Sequence, residues 1–173
     1  MTLIVNRDLK SRNILLGYDG MYKLCDFGLS GNISRNKEIV GTPAYMAPEC
    51  FIQSQMPSMS RLKQIDIFSL GVLAWEVVHM TIPYSNLSFS SAGEMSDYVS
   101  NGGRPKYDSA SSSVLKSLIC SCWDEESDAR PTSTQCLDAI AQVEGSMKAS
   151  SRRESKDVGF DALESLVSRF GKK

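Results

Sequence analysis

Val5-Asn6-Arg7-Asp8-Leu9-Lys10-Ser11-Arg12-Asn13-Ile14-Leu15-Leu16, followed shortly by Cys25-Asp26-Phe27-Gly28, decides how this chain is read. Asp8, Lys10 and Asn13 lie in a polar loop between the apolar runs Leu3-Ile4-Val5 and Ile14-Leu15-Leu16. A further run, Met21-Tyr22-Lys23-Leu24-Cys25, ends at Asp26. Runs this short beside Gly and Asp read as short strands joined by tight turns, with Gly17, Asp19 and Gly20 supplying the turn. A hairpin built this way brings Asp8, Asn13 and Asp26 to neighbouring strand ends.

Oxygen ligands such as Asn13 and Asp26 suit Mg²⁺, which commonly takes one or two protein carboxylates together with substrate phosphates. Lys10 places a fixed positive charge where a transferred phosphoryl group develops negative charge. Taken singly, Asp8 and Asn13 read equally well as turn formers and Asp26 as a helix cap. The whole set, in this order, reads as a site.

Asn6 to Asn13 resembles the catalytic loop of eukaryotic-type protein kinases, and Asp26-Phe27-Gly28 resembles their metal-binding motif. Gly41-Thr42-Pro43-Ala44-Tyr45-Met46-Ala47-Pro48-Glu49 resembles the end of their activation segment. The resemblance covers residues 1–143 and implies an α+β, mostly α fold: the kinase C-terminal lobe, with short β-hairpins around the catalytic loop. It also implies an N-terminal lobe with a glycine-rich phosphate loop, and no Gly-x-Gly-x-x-Gly occurs in these residues. The chain therefore reads as the second part of a kinase domain, with the N-terminal lobe absent.

By the same resemblance, Asp8 orients the substrate hydroxyl or accepts its proton, and Lys10 steadies the γ-phosphoryl group of ATP. Asn13 and Asp26 hold Mg²⁺. Thr42 lines the hydroxyl site and, with Lys10, points to serine and threonine acceptors. Arg7 is the residue that would pair with a phosphate on the activation segment, where Ser30 and Ser34 are candidate phosphosites. Read by themselves, these two are ordinary loop serines. Glu49 is expected to pair with Arg130 of Asp128-Ala129-Arg130-Pro131, and Asp66 to hold the catalytic-loop backbone. Cys122-Trp123 followed by this Asp-x-Arg-Pro resembles the tyrosine-kinase-like branch of serine/threonine kinases. Asn6 departs from the histidine usual in the family. That position is architectural, under the Phe of the metal motif, so some loss of rigidity is expected rather than loss of chemistry.

The implied function is a protein serine/threonine kinase using ATP and Mg²⁺ on a protein substrate, weak or inactive without the missing lobe. The alternative is a non-catalytic kinase-like module that binds a protein partner.

Composition agrees with a globular domain: 173 residues, 42% hydrophobic, net charge −1. Near-neutral charge gives no electrostatic reason to expect nucleic acid or an anionic membrane. The longest apolar run, Val72 to Val78, is broken by Glu76 and cannot make a membrane span. Five cysteines without a scaffold spacing, and a single histidine, read as reduced thiols in a cytoplasmic protein rather than as a disulfide framework or a zinc site.

Along the chain, Ile65 to Val78 is apolar nearly all round and predicts a buried central helix, with Asp66 in its first turn. Gln53 to Ser58 reads as a surface connection. Ala92 to Ser100 predicts a short helix ended by Asn101-Gly102-Gly103. Val114, Leu115, Leu118, Ile119 and Cys122 recur at helical spacing. Thr132 caps a last helix with Cys136, Ile140 and Val143 on one face. Residues 144–158 read as a flexible linker. Residues 159–173, with Phe160, Leu163, Leu166, Val167 and Phe170 at helical spacing, read as an amphipathic tail for docking on the domain or a partner.

Overall fold

The computed structural model describes residues 5–30, 41–51, 59–107 and 113–150. The residues named above in 53–58, Ser34, the linker beyond Ser150 and the tail at 159–173 lie outside them. Helix α1, Met59–His79, is the axis of the fold. Phe68, Val72, Leu73 and Trp75 on it are buried, as are Ile65, Ile67 and Leu70, so the helix is enclosed on nearly every side. It begins six residues before the expected Ile65. No helix breaker stands between Met59 and Gln64, and Leu62 adds an apolar anchor that is itself buried. Asp66 therefore lies two turns inside the helix, where the N-terminal dipole no longer favours its charge.

Three further helices stand among the described residues: α2 (Ala92–Ser100), α3 (Ser113–Cys122) and α4 (Ser133–Ser150). Of these, α3 packs on α1 and α4 packs on α3, while α2 lies against the turns Pro43–Tyr45 and Pro48–Cys50. The approach of α3 to α1 depends on Gly71, where a Cβ would stand 2.8 Å from Cys122 Cβ and 3.2 Å from Trp123 N. On α3, Leu115, Leu118, Ile119 and Cys122 are buried, but Val114, expected on the same stripe, is 44% exposed. Although four residues before Leu118, it lies at the edge of the stripe that the other four share.

Helix α4 buries Cys136, Ile140 and Val143, as the pattern required. Its start is a capping box: Gln135 N donates to Thr132 Oγ1 at 3.3 Å and Thr132 N donates to Gln135 Oε1 at 2.8 Å. It continues to Ser150, through residues expected to begin a linker. A lone Gly145 costs only about 1 kcal/mol relative to alanine, too little to stop a helix that Met147, Lys148 and Ala149 favour. Helix α2 ends where predicted, with Gly102 at φ +83° and Gly103 N donating to Tyr98 O at 2.8 Å.

Strands β1 (Ile14–Leu16) and β2 (Tyr22–Leu24) form an antiparallel hairpin, with Ile14 opposite Leu24. Its turn closes with Gly17 N on Met21 O at 2.9 Å and Met21 N on Asp19 Oδ1 at 3.1 Å, and Gly20 has φ +73°. Leu15, Leu16 and Met21 on this hairpin, and Phe27 beyond it, are 44–65% exposed. Among the described residues, no helix is long and apolar enough to cross a membrane.

Candidate active site

The polar loop is fastened to α1 from below. Asp66 accepts Asn6 N–H at 2.7 Å on Oδ2 and Arg7 N–H at 2.9 Å on Oδ1. These bonds hold Arg7 at φ +70°, a conformation that costs a non-glycine residue on the order of 1–3 kcal/mol. Gly41 passes directly over the bend: at its φ of +121°, a Cβ would stand 2.8 Å from Arg7 O. Asn6 adds a second tie. Its Oδ1 accepts Asp8 N–H at 3.2 Å, while its Nδ2 donates to Asp26 O at 3.4 Å. The side chain is buried and links the two motifs through hydrogen bonds. Phe27, under which this position was expected to pack, is 51% exposed.

Burial raises Asp66 to about 6 from an ordinary 3.8, against the opposing backbone N–H bonds. The native state thus holds a proton that the unfolded chain releases. This contribution to stability is present near pH 4 and is lost as pH rises through 6. Relative to Asp66→Asn, the wild-type chain should lose on the order of 2 kcal/mol between about pH 4 and about pH 6, measured by urea unfolding. Parallel profiles for the two proteins would show that Asp66 does not titrate in this window.

Above this support, Asp8, Lys10 and Thr42 close a triangle. Lys10 Nζ lies 2.6 Å from Asp8 Oδ2 and donates to Thr42 Oγ1 at 2.8 Å; Thr42 Oγ1 donates to Asp8 Oδ1 at 2.8 Å. Burial by itself would raise the Asp8 carboxyl. The hydrogen bonds from Lys10 and Thr42 and the lysine charge outweigh it and hold the group below 3.8. Asp8 is therefore an ionised acceptor at neutral pH, with a cation and a hydroxyl beside it. Thr42 reaches this position from 34 residues away along the chain.

Asn13 joins the triangle from below, its Nδ2 donating to Asp8 O at 2.9 Å and Asp8 Oδ2 at 3.3 Å. With the amide hydrogens committed to Asp8, Oδ1 is the atom left to ligate. The strand pairing carries on past the hairpin, Cys25 N donating to Asn13 O at 2.9 Å, and delivers Asp26 beside it at φ +56°. One Asp26 oxygen accepts Gly28 N–H at 3.2 Å, and among the described residues the exposed carboxylate keeps the other free. An amide oxygen and one accessible carboxylate are the sparse oxygen set that Mg²⁺ accepts when phosphates complete its shell. Among the described residues, no group of three His, Cys, Asp or Glu side chains is placed to hold a metal by itself.

One network was not read from the sequence. Ser11 Oγ donates to Glu76 Oε1 at 2.9 Å, and Tyr45 OH donates to Glu76 Oε2 at 2.7 Å. Glu76 thereby ties the polar loop to the segment carrying Thr42. Burial foremost, then the hydrogen bond to Glu76 and the Glu76 charge, keeps the Tyr45 phenol protonated far above its usual value. The signal was present: a lone acid interrupting the apolar run Val72 to Val78 needs a buried partner.

Arg130 and Glu49 meet as a two-pronged pair, Nη1 to Oε1 at 2.6 Å and Nη2 to Oε2 at 2.8 Å. Arg130 also donates to the carbonyls of Asp124 at 2.8 Å and Gln64 at 2.9 Å, and its side chain is fully buried. With Arg104 it encloses the Phe68 ring, the two guanidinium carbons lying 5.0 and 4.9 Å from the centroid. Ser30 Oγ donates to Phe27 O at 2.5 Å, forming a turn.

The protein kinase domain family matches residues 2–140. The chain belongs to the protein kinase family. Among its relatives in Dictyostelium discoideum is a protein described as a probable serine/threonine-protein kinase, 36% identical over 136 residues, covering 78% of this chain and 10% of that protein. Stress-activated protein kinase alpha is 33% identical over 160 residues, covering 84% of this chain and 24% of its own length. Dual specificity protein kinase shkC is 31% identical, covering 82% of this chain and 28% of its own length. The chain thus spans less than a third of each of these relatives.

Proposed function

We propose that these residues carry the phosphoryl-transfer site of a protein serine/threonine kinase of the tyrosine-kinase-like branch, using Mg²⁺-ATP and a protein substrate. They correspond to the C-terminal lobe. The observation that carries this reading is the Asp8–Lys10–Thr42 triangle, in which an ionised carboxylate already accepts a hydroxyl hydrogen at 2.8 Å. A substrate serine or threonine hydroxyl presented to Asp8 meets the same acceptor. Lys10 stands within reach of the negative charge that develops on the moving group. Asn13 and Asp26 would hold Mg²⁺, which when bound neutralises phosphate charge. Arg7 would pair with a phosphate on Ser30 or Ser34, as an arginine beside a phosphorylated loop does.

The test is titration calorimetry of Mg²⁺-ATP into the purified chain, with Asp26→Ala as control. Binding at micromolar strength that Asp26→Ala weakens at least tenfold is the expected result. No heat from a folded wild-type chain would favour a second reading, a kinase-like module that binds a protein partner. The exposure of Leu15, Leu16, Met21 and Phe27 is the observation on that side, since exposed apolar side chains offer surface to a partner.

A further inference from the structure

We propose that Cys122 and Cys136 form an oxidant-responsive dithiol, whose closure to a disulfide staples α3 to α4 around the loop that carries Arg130. Both thiols are free, and their Sγ atoms lie 3.7 Å apart across the interface of the two helices. Cys122 is the last residue of α3 and Cys136 stands in the first turn of α4. A disulfide holds its sulfurs about 2.05 Å apart, so the pair closes by about 1.7 Å without either helix leaving its partner. Neither residue serves the phosphoryl-transfer site, and two apolar side chains would fill the same volume. Two thiols in contact instead supply a reaction.

Their roles differ. The hydrogen bond between them lowers Cys136 and raises Cys122. Cys136 also lies at the positive end of α4, which favours a thiolate. Cys136 is therefore the attacking sulfur and Cys122 the resolving one. The oxidant class is a peroxide, which is small and neutral enough to enter when the start of α4 opens locally. The Cys136 thiolate attacks one peroxide oxygen. The S–O bond forms, the O–O bond breaks, and the departing hydroxide takes up the proton that Cys136 released. Cys122 sulfur then attacks the sulfenic sulfur; the S–S bond forms, the S–O bond breaks, and water leaves with the Cys122 proton. Two thiols and one peroxide give one disulfide and two waters.

The ring so closed contains Trp123 and Arg130. Because Arg130 holds Glu49 at 2.6 Å, the staple restrains the clamp on the end of the activation segment. Cys120, two residues earlier on the exposed face of α3, has no part in this ring.

The experiment treats the whole purified chain with hydrogen peroxide, unfolds it in denaturant with an alkylating agent, and maps the cysteines by peptide mass. The expected product is a Cys122–Cys136 linked peptide, lighter by two hydrogens and restored by dithiothreitol. Cys120→Ser should give the same product, and the oxidised chain should melt at a higher temperature than the reduced one. The proposal is overturned if Cys122 and Cys136 both remain alkylatable while Cys120 or Cys25 is consumed. Links made only between chains would overturn it equally. Both outcomes are read on wild-type protein, so they do not depend on a cysteine variant folding.

Discussion

Replacing Arg130 with alanine should cost the chain at least about 3–5 kcal/mol, the range for breaking a buried ion pair by removing one partner. Three losses act together. Glu49 keeps its charge without its two-pronged partner, at a site where only 22% of its side chain reaches solvent. The carbonyls of Asp124 and Gln64 lose their donors. Phe68, at the centre of α1, loses one of the two guanidinium groups lying on its ring. Urea unfolding followed by tryptophan fluorescence reads the effect, since Trp75 and Trp123 are both buried. Arg130→Lys retains the charge but not the fork, and should recover only a minor part. A loss below about 1 kcal/mol would mean that the pair behaves like an exposed surface bridge.

On the proposed function, Asp8→Asn should lower phosphoryl transfer by about 10²–10⁴-fold, the usual contribution of a positioned general base, while leaving the fold in place. An amide can still accept from Lys10 or Thr42, so the triangle loses charge more than shape. The measurement is transfer of labelled γ-phosphate to a serine/threonine protein substrate, with thermal melting beside it. A rate within tenfold of wild type would remove Asp8 from the reaction. The pH dependence follows from the lowered carboxyl. Stability contributed by Asp8 is present above its unfolded value of 3.8 and is lost as pH falls through the still lower folded value. Asp8 and Asp66 thus act in opposite directions in acid. Comparing each variant with wild type separates them.

Much of this site was legible before the structure because its parts are local. Asp8, Lys10 and Asn13 are fixed within six residues by one turn, and the hairpin that brings Asp26 back follows from Gly17, Asp19 and Gly20. Helices α2 and α4 announced themselves by caps and apolar spacing. What misled was also local: the stretch Met59 to Gln64 carries too little apolar signal to be read as helix, and Gly145 with its polar neighbours looked like a linker.

Tertiary structure decided what joins residues distant in sequence. Asp66 lies 60 positions from the Asn6 N–H it receives, and Arg130 lies 81 from Glu49. Glu76 reaches Ser11 across 65 positions, and Cys122 faces Cys136 across 14. No periodicity encodes such meetings. A family resemblance pointed to two of them. The Glu76 network and the cysteine pair required the packed structure, because only the packing of α1 against the loop of Ser11 and the turn of Tyr45, and of α3 against α4, brings these polar and sulfur atoms within bonding distance.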